Sequence, residues 1–85
     1  MASEAIIISQ IENTVGGKYS GWKIGITDKP ALRKAQVGNP LSWLQWQADS
    51  HQAAKNVLQY FLQKGMKHSG TANKSADFVY IFSNT

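Results

Sequence analysis

The stretch WKIGITDKPALRKAQ, residues 22–36, is the strongest local signal in the chain. Its first half alternates large apolar side chains, Trp22, Ile24 and Ile26, with smaller or polar ones, which is the two-residue period of a β-strand. Gly25 lies inside this strand, and a strand glycine indicates a bend or the close approach of another group to the backbone. The first half therefore predicts a strand whose glycine permits a bend or close packing.

The second half of the stretch is typical of a helix start. Thr27 or Asp28 can cap the helix, and Pro30 suits its first turn, where a missing N–H is tolerated. We expect the helix over about residues 29–37. It contains Arg33, the only arginine in the chain.

Upstream of this strand the pattern favours another helix. Ser3 can cap it, Ile11 and Val15 follow at helical spacing, and two glycines at 16–17 end it. The isoleucine run at 6–8 is equally compatible with a strand, so both structures stay open for that run.

Two further strands are expected downstream. Residues 41–47 alternate, with Leu44 and Trp46 on one face and Trp43 on the other, which predicts a short strand. Residues 77–82 are apolar on both faces, as in a strand at the centre of a sheet.

Between these two strands lies the clearest helical pattern of the chain. Asp49 or Ser50 can cap this helix, and Gly65 ends it after Lys64. Its apolar residues recur every three or four positions and form a wide stripe that can pack on a sheet. The stripe consists of Ala53, Ala54, Val57, Leu58, Phe61 and Leu62.

The predicted elements follow the order α-β-α-β-α-β. We therefore expect a single domain, residues 1–85, of the α/β (α+β) class, with a small three-stranded sheet packed against about three helices on one or both faces. A polar connector at 66–76 is long for such a small domain, and connectors of this kind are mobile or functional.

Charge and composition narrow the class of protein. Nine Lys and Arg against five Asp and Glu give a net charge of +4, which permits nucleic-acid binding without requiring it. The chain has no cysteine, so disulfides and thiolate metal sites are excluded and a cytoplasmic location is expected. The N-terminal apolar run is too short for a signal peptide or a membrane span, so no membrane association is expected.

Common nucleotide-binding and catalytic motifs are missing from the sequence. It has no G-x-x-x-x-G-K-[ST] loop and no G-x-G-x-x-G fingerprint. His51 and His68 lie on either side of a long helix without a convincing set of carboxylates, so we expect neither a metal site nor a cofactor. Asp49, Ser50 and His51 contain the residue types of a hydrolase triad, but their adjacent positions at a helix start indicate capping.

The residues KIGITDKPALR, 23–33, resemble the second half of the GIY-YIG nuclease core. In that family a strand ending in Y-I-G precedes a capped helix, and an arginine on the helix faces the catalytic surface. Here Arg33 stands eight residues after Gly25, which matches the family's spacing. A strand and a long helix then follow in the family's order, so the resemblance covers about residues 22–62.

The resemblance implies a site for phosphodiester chemistry. Hydrolysis develops negative charge on phosphoryl oxygens, and a fixed guanidinium offers them two hydrogen bonds. In such a site a tyrosine or a bound water supplies the nucleophile or base, and a glutamate-bound divalent metal stabilises the leaving oxygen. On this resemblance the catalytic candidates are Arg33, Tyr19 and Tyr80.

The chain departs from the family pattern in ways that argue against metal-dependent cleavage. Lys23 stands in place of the tyrosine of Y-I-G, and no G-I-Y strand precedes it. The helix that should carry the metal-binding glutamate has Leu58 near that position and no acidic residue after Asp49. We therefore expect a degenerate domain without metal-dependent nuclease activity. Any enzymatic activity that it kept would be that of a GIY-YIG-type endonuclease.

The C-terminal strand offers a replacement for the missing one. Val79, Tyr80 and Ile81 resemble the first strand of the family, and they can occupy its place in a permuted sheet.

Two functions remain open. In the first, the domain binds nucleic acid or another phosphate-bearing partner through a basic surface of Lys23, Lys29, Arg33 and Lys34. In the second, it is a non-enzymatic protein-interaction or accessory module that uses exposed aromatic and apolar surface, with a protein partner or a second copy of itself.

Overall fold

The computed structural model describes residues 2–70 and 75–83 and has the mixed α+β class that the sequence pattern predicts. Three α-helices, one 3₁₀ turn and four strands are assigned within these residues. In chain order they are α1 (Glu4–Val15), the turn Tyr19–Gly21, β1 (Lys23–Thr27), α2 (Pro30–Gln36), β2 (Ser42–Gln47), α3 (His51–Lys64), β3 (Lys67–His68) and β4 (Phe78–Ser83).

The last strand in the chain is inserted in the middle of the sheet. The strand order is β2-β4-β1-β3, and β4 is antiparallel to both of its neighbours. Gly25 of β1 and Gln45 of β2 both pair with Tyr80 of β4. The central position predicted from the apolar run at 77–82 is confirmed, since both faces of β4 are covered by other parts of the chain.

The expected strand count of three was wrong, because the polar connector supplies a fourth. β3 lies parallel to β1, with Lys67 beside Lys23. Ser69 N–H donates to the carbonyl of Ile24 at 2.8 Å. These bonds satisfy backbone groups on the outer edge of β1 that would otherwise face water. Positions 71–74 of the connector lie outside the described residues.

The two long helices begin at serine caps and end at glycines. The Ser3 hydroxyl accepts from the N–H of Ile6 at 3.3 Å, and the Ser50 hydroxyl accepts from the N–H of Ala53 at 3.1 Å. The helices end where Gly16 and Gly65 adopt left-handed backbone, a conformation that glycine reaches without steric cost. Of the two caps considered for α3, Ser50 is the one used. The isoleucine run at 6–8 is helical.

One face of the sheet packs against α1 and α3. The fully buried side chains of this layer are aliphatic or phenyl groups that fit together without polar atoms. They include Ile7 and Ile11 of α1, Val57 and Phe61 of α3, and Ile24, Val79 and Ile81 of the sheet. Within the described residues no helix is both long and apolar enough to cross a membrane.

Candidate functional site

The turn between β1 and α2 positions the arginine singled out by the sequence. The Thr27 hydroxyl accepts from the backbone N–H of Lys29 at 3.1 Å, which bends the chain sharply after the strand. Pro30 then starts the helix with its fixed φ. The helix is shorter than predicted and has no side-chain cap at its first residue. Thr27 therefore shapes the turn before the helix, and Arg33 follows one turn after the helix start.

A pocket of about 250 Å³ opens beside this turn. It is lined by Thr27, Asp28, Lys29, Leu32, Arg33 and Gln36. Two cations face one carboxylate here, and a hydroxyl and an amide add neutral hydrogen-bonding groups. We name it the Arg33 pocket. Its donors suit an anion, and the carboxylate of Asp28 restricts where that anion can lie.

Arg33 packs directly on the backbone of the segment that follows β3. A Cβ placed on Gly70 would lie 2.5 Å from Nη1 of Arg33, so no other residue fits there without displacing the guanidinium. The φ of Gly70 is +70°, which also favours glycine. The Nε atom of Arg33 is buried. The guanidinium therefore lies against the backbone of Gly70, and its Nε is shielded from water.

The residue before Gly70 connects this arginine to Tyr80. The Tyr80 hydroxyl donates to the carbonyl oxygen of Ser69 at 3.0 Å. Both groups lie over Gly25: a Cβ there would overlap the Tyr80 hydroxyl and lie 2.6 Å from the Ser69 carbonyl oxygen. The glycine in the strand is therefore needed for close packing, as the sequence predicted. Arg33 and Tyr80 contact the same two-residue segment, Ser69–Gly70.

Aromatic rings continue this surface across the sheet. Trp43 stacks on Tyr80, with ring centroids 4.7 Å apart and planes inclined by 10°, and it also stacks on Phe82 at 5.8 Å. Nζ of Lys23 lies 5.9 Å from the centroid of Phe82, within the range of a cation–π contact. We name Lys23, Gly25, Trp43, Tyr80 and Phe82 the aromatic face. It is the side of the sheet opposite α1 and α3.

Of the four predicted nucleic-acid-binding residues, two are among the described residues that line the Arg33 pocket. Arg33 and Lys29 line the Arg33 pocket, and Lys29 is exposed. Lys23 lies on the aromatic face above Phe82. Lys34 is on α2 next to Arg33 but is not one of the described residues that line the pocket.

Of the three catalytic candidates, two come together and one does not. Arg33 and Tyr80 meet at Ser69–Gly70, whereas the Tyr19 ring lies on the helix side, 6.1 Å from Phe61. The Tyr19 hydroxyl points to Glu12 of α1 at 3.5 Å. Tyr19 thus packs against the aliphatic core, on the other side of the sheet from Tyr80.

The residues present do not fit the glutamate-held divalent metal that the resemblance implies. Leu58 is buried in the core, and its neighbour Asn56 donates to Glu4 at 3.2 Å. Among residues 2–70 and 75–83 no three His, Asp or Glu side chains are grouped as metal ligands. Asp28 is the one described carboxylate in the Arg33 pocket. A hard divalent ion requires several oxygen ligands, and the described residues of this pocket do not supply them.

Sequence reasoning missed the residues that hold the site together. Ser69 and Gly70 lie in a polar connector whose composition gives no position in space. The only available signal was the glycine itself, which favours an unusual φ or a close approach. Leu32 and Gln36 were also missed, although Gln36 follows Arg33 by three residues and Leu32 by four, which is the spacing of neighbours on a helix surface.

No family model, curated protein or solved structure matches this chain.

Proposed function

We propose that this chain is a GIY-YIG-like domain that binds nucleic acid at the Arg33 pocket and has no metal-dependent nuclease activity. One observation carries the proposal: Arg33 lines a pocket with Lys29 and shares the Ser69–Gly70 segment with Tyr80. A guanidinium is a planar group that can donate two hydrogen bonds to one phosphate group.

The strand arrangement supports the family part of the proposal. β4 lies antiparallel to β1 and places Tyr80 directly opposite Gly25. In this proposal β4 takes the place of the missing first strand, and the sheet is a permuted form of the family's sheet. The tyrosine then lies beside the glycine and the helical arginine although it comes from the far end of the sequence.

The pocket's composition supports binding without cleavage. Lys29 and Arg33 supply the cations that a phosphate needs, and Thr27 and Gln36 can bond its remaining oxygens. No cluster of carboxylates is present in the described residues to hold a catalytic ion. The shared chemistry is a phosphate group, in nucleic acid or in another phosphate-bearing partner, and the experiment below separates these sources.

Fluorescence anisotropy with labelled single-stranded DNA, duplex DNA and RNA tests the proposal. Two phosphate contacts, from Lys29 and Arg33, should give a slope of log affinity against log salt of about −2 on duplex DNA. Arg33→Ala should weaken binding about tenfold and reduce that slope by about 1. Lys55→Ala is the matched control, because Lys55 is an exposed cation on α3 and its loss should leave the affinity nearly unchanged.

Three results would contradict the proposal. Absence of binding to every nucleic acid at about 50 mM salt removes it altogether. If Arg33→Ala and Lys55→Ala weaken the affinity equally, the nucleic-acid interface does not lie at the pocket. Inorganic polyphosphate is also tested as a competitor at the same phosphate content as the nucleic acid. If it competes equally well, the pocket is a general phosphate site instead.

The same proteins test the absence of cleavage. With Mg²⁺ or Mn²⁺ added, the wild type and Arg33→Ala should degrade nucleic acid at the same low background rate. A wild-type rate well above that of Arg33→Ala would show that the domain is an endonuclease and that this half of the proposal is wrong.

A further inference from the structure

β2 is an edge strand of the sheet, and part of its edge carries open backbone groups. Ala48 N–H donates inward to Asp77 at 2.7 Å, while the Gln47 carbonyl accepts from outside, from the N–H of Ala2 at 2.8 Å. Since residues alternate along an antiparallel strand, Trp43 and Gln45 direct both N–H and C=O outward. Within residues 2–70 and 75–83 no strand pairs with β2 on this side.

Outside the segment covered by Ala2, this edge lacks the residues that normally protect one. Lysine, proline or a bulge usually prevents a free edge from pairing with another chain, yet Ser42–Gln47 contains no charged residue or proline. The charge-free stretch extends over residues 35–48. Leu44 is 40% exposed in the middle of the strand, and Leu41 just before it is 98% exposed.

An exposed residue on α1 extends the apolar surface beside the edge. Trp46 of β2 donates through its Nε1 to the side chain of Gln10 on α1. Ile6 lies one turn before Gln10 on the same side of that helix, and its side chain is 51% exposed. The edge and its surroundings therefore present apolar groups around a row of free backbone donors and acceptors.

We propose that the β2 edge pairs with the β2 edge of a second copy of this chain. The two strands run antiparallel about a two-fold axis at Leu44. Trp43 of one copy then exchanges both backbone hydrogen bonds with Gln45 of the other, and Gln45 of the first with Trp43 of the second. In this register the paired strands end before Ala48, so Ala2 keeps its place beside that residue.

The absence of charge on this edge admits a second copy as the occupant. Each chain carries a net charge of +4, so two copies repel one another wherever their cationic surfaces meet. All of the lysines and the arginine lie outside residues 35–48, which makes this stretch the place where two copies can approach. A two-fold axis also makes the edge complementary to itself without any other partner.

The proposed axis explains the exposure of Leu44. Leu44 of the two copies would form a pair without mutual hydrogen bonds, in which the Cβ atoms lie about 4.5–5.5 Å apart. The two leucines would bury one another, so that Leu44 would no longer be exposed to water. The contact leaves the Arg33 pocket outside the interface strands, so its failure would not affect the proposed binding function.

Charge exchange at the two-fold axis tests this arrangement by sedimentation equilibrium. The wild type should form dimers. Leu44→Lys and Leu44→Glu should each weaken dimerisation at least about tenfold, because like charges meet at the axis. An equimolar mixture of the two variants should restore dimers to within about threefold of the wild type, because opposite charges then meet.

Leu32→Lys is the control, since Leu32 is 53% exposed on α2 and the change in charge is the same. It should leave the dimer intact, and circular dichroism should show that all variants are folded. A wild type that stays monomeric at the highest soluble concentration overturns the proposal. So do Leu44 variants that dimerise like the wild type, or a mixture no more associated than either variant alone, which would indicate an interface without this axis.

Discussion

The two faces of the sheet are buried in different ways, although the same strands build both. On the helix side, Ile24, Val79 and Ile81 pack against the aliphatic and phenyl side chains of α1 and α3. On the aromatic face, Tyr80 is equally buried, but beneath a stacked tryptophan and a hydrogen-bonded chain segment.

Because of this difference, we expect the helix side to determine mainly the stability of the fold, and the aromatic face to influence mainly the proposed binding site. The stability of the helix side depends on side-chain volume. Tightly packed apolar groups stabilise the fold by excluding water, and any cavity among them lowers the free energy of unfolding. The aromatic face depends on contacts between particular atoms, in which a hydroxyl, a carbonyl and a glycine must all be present. Polar atoms that can meet a ligand are found beside this second face, and three substitutions test how far the two faces are independent.

The largest effect is expected on the helix side. Ile81→Ala would leave a cavity in the fully buried core and should lower the free energy of unfolding by about 2–5 kcal/mol. Urea denaturation measures this loss. Leu41→Ala is the control, because Leu41 is almost fully exposed and should change stability by less than about 0.5 kcal/mol. A loss below about 1 kcal/mol for Ile81→Ala would mean that this side is not closely packed.

A smaller but more local effect is expected from Gly25→Ala. The added methyl group would collide with the Ser69 carbonyl and the Tyr80 hydroxyl, which should destabilise the fold by about 1–3 kcal/mol. It should also displace Ser69–Gly70 and weaken nucleic-acid binding at Arg33. Gly21→Ala is the matched control, since a methyl group added there would meet no atom within 4 Å beyond its chain neighbours. Equal stability of the two variants would contradict the close packing at Gly25.

The smallest effect is expected from Tyr80→Phe. Removing the hydroxyl leaves the Ser69 carbonyl without this bond, at a cost of about 1 kcal/mol. Amide hydrogen exchange at Ser69, whose N–H donates to the carbonyl of Ile24, should become faster, because the segment is held less firmly. Tyr60→Phe serves as the comparison on the helix side, where the lost bond is to Glu12. If both variants leave exchange at Ser69 unchanged, the hydroxyl does not hold the segment.

Much of the fold could be predicted because its signals are periodic and local. The apolar stripe of α3, the alternation in β2 and the two-sided apolar run of β4 each occur within a few turns or residues of sequence. β3 could not be predicted, since two polar residues show no period. Its pairing is decided by the free edge of β1, which lies far away in the sequence.

The candidate site was only half predictable for the same reason. The spacing from Gly25 to Arg33 is local, and the sequence indicated both residues. The proximity of Tyr80 to them depends on the strand order, and that of Gly70 on the path of the connector after β3. Tyr19 was a reasonable candidate by position in the chain, but the core and Glu12 hold it on the helix side.

The central position of β4 also determines when the domain can fold during its synthesis. The chain leaves the ribosome from its N-terminus, so β1 and β2 emerge long before the strand that joins them. Until residue 83 is released, β1 can pair only with the two residues of β3, and β2 only with Ala2. Between the emergence of β1 and that of β4 the two strands lack their central partner, which exposes the nascent chain to aggregation and to chaperone binding.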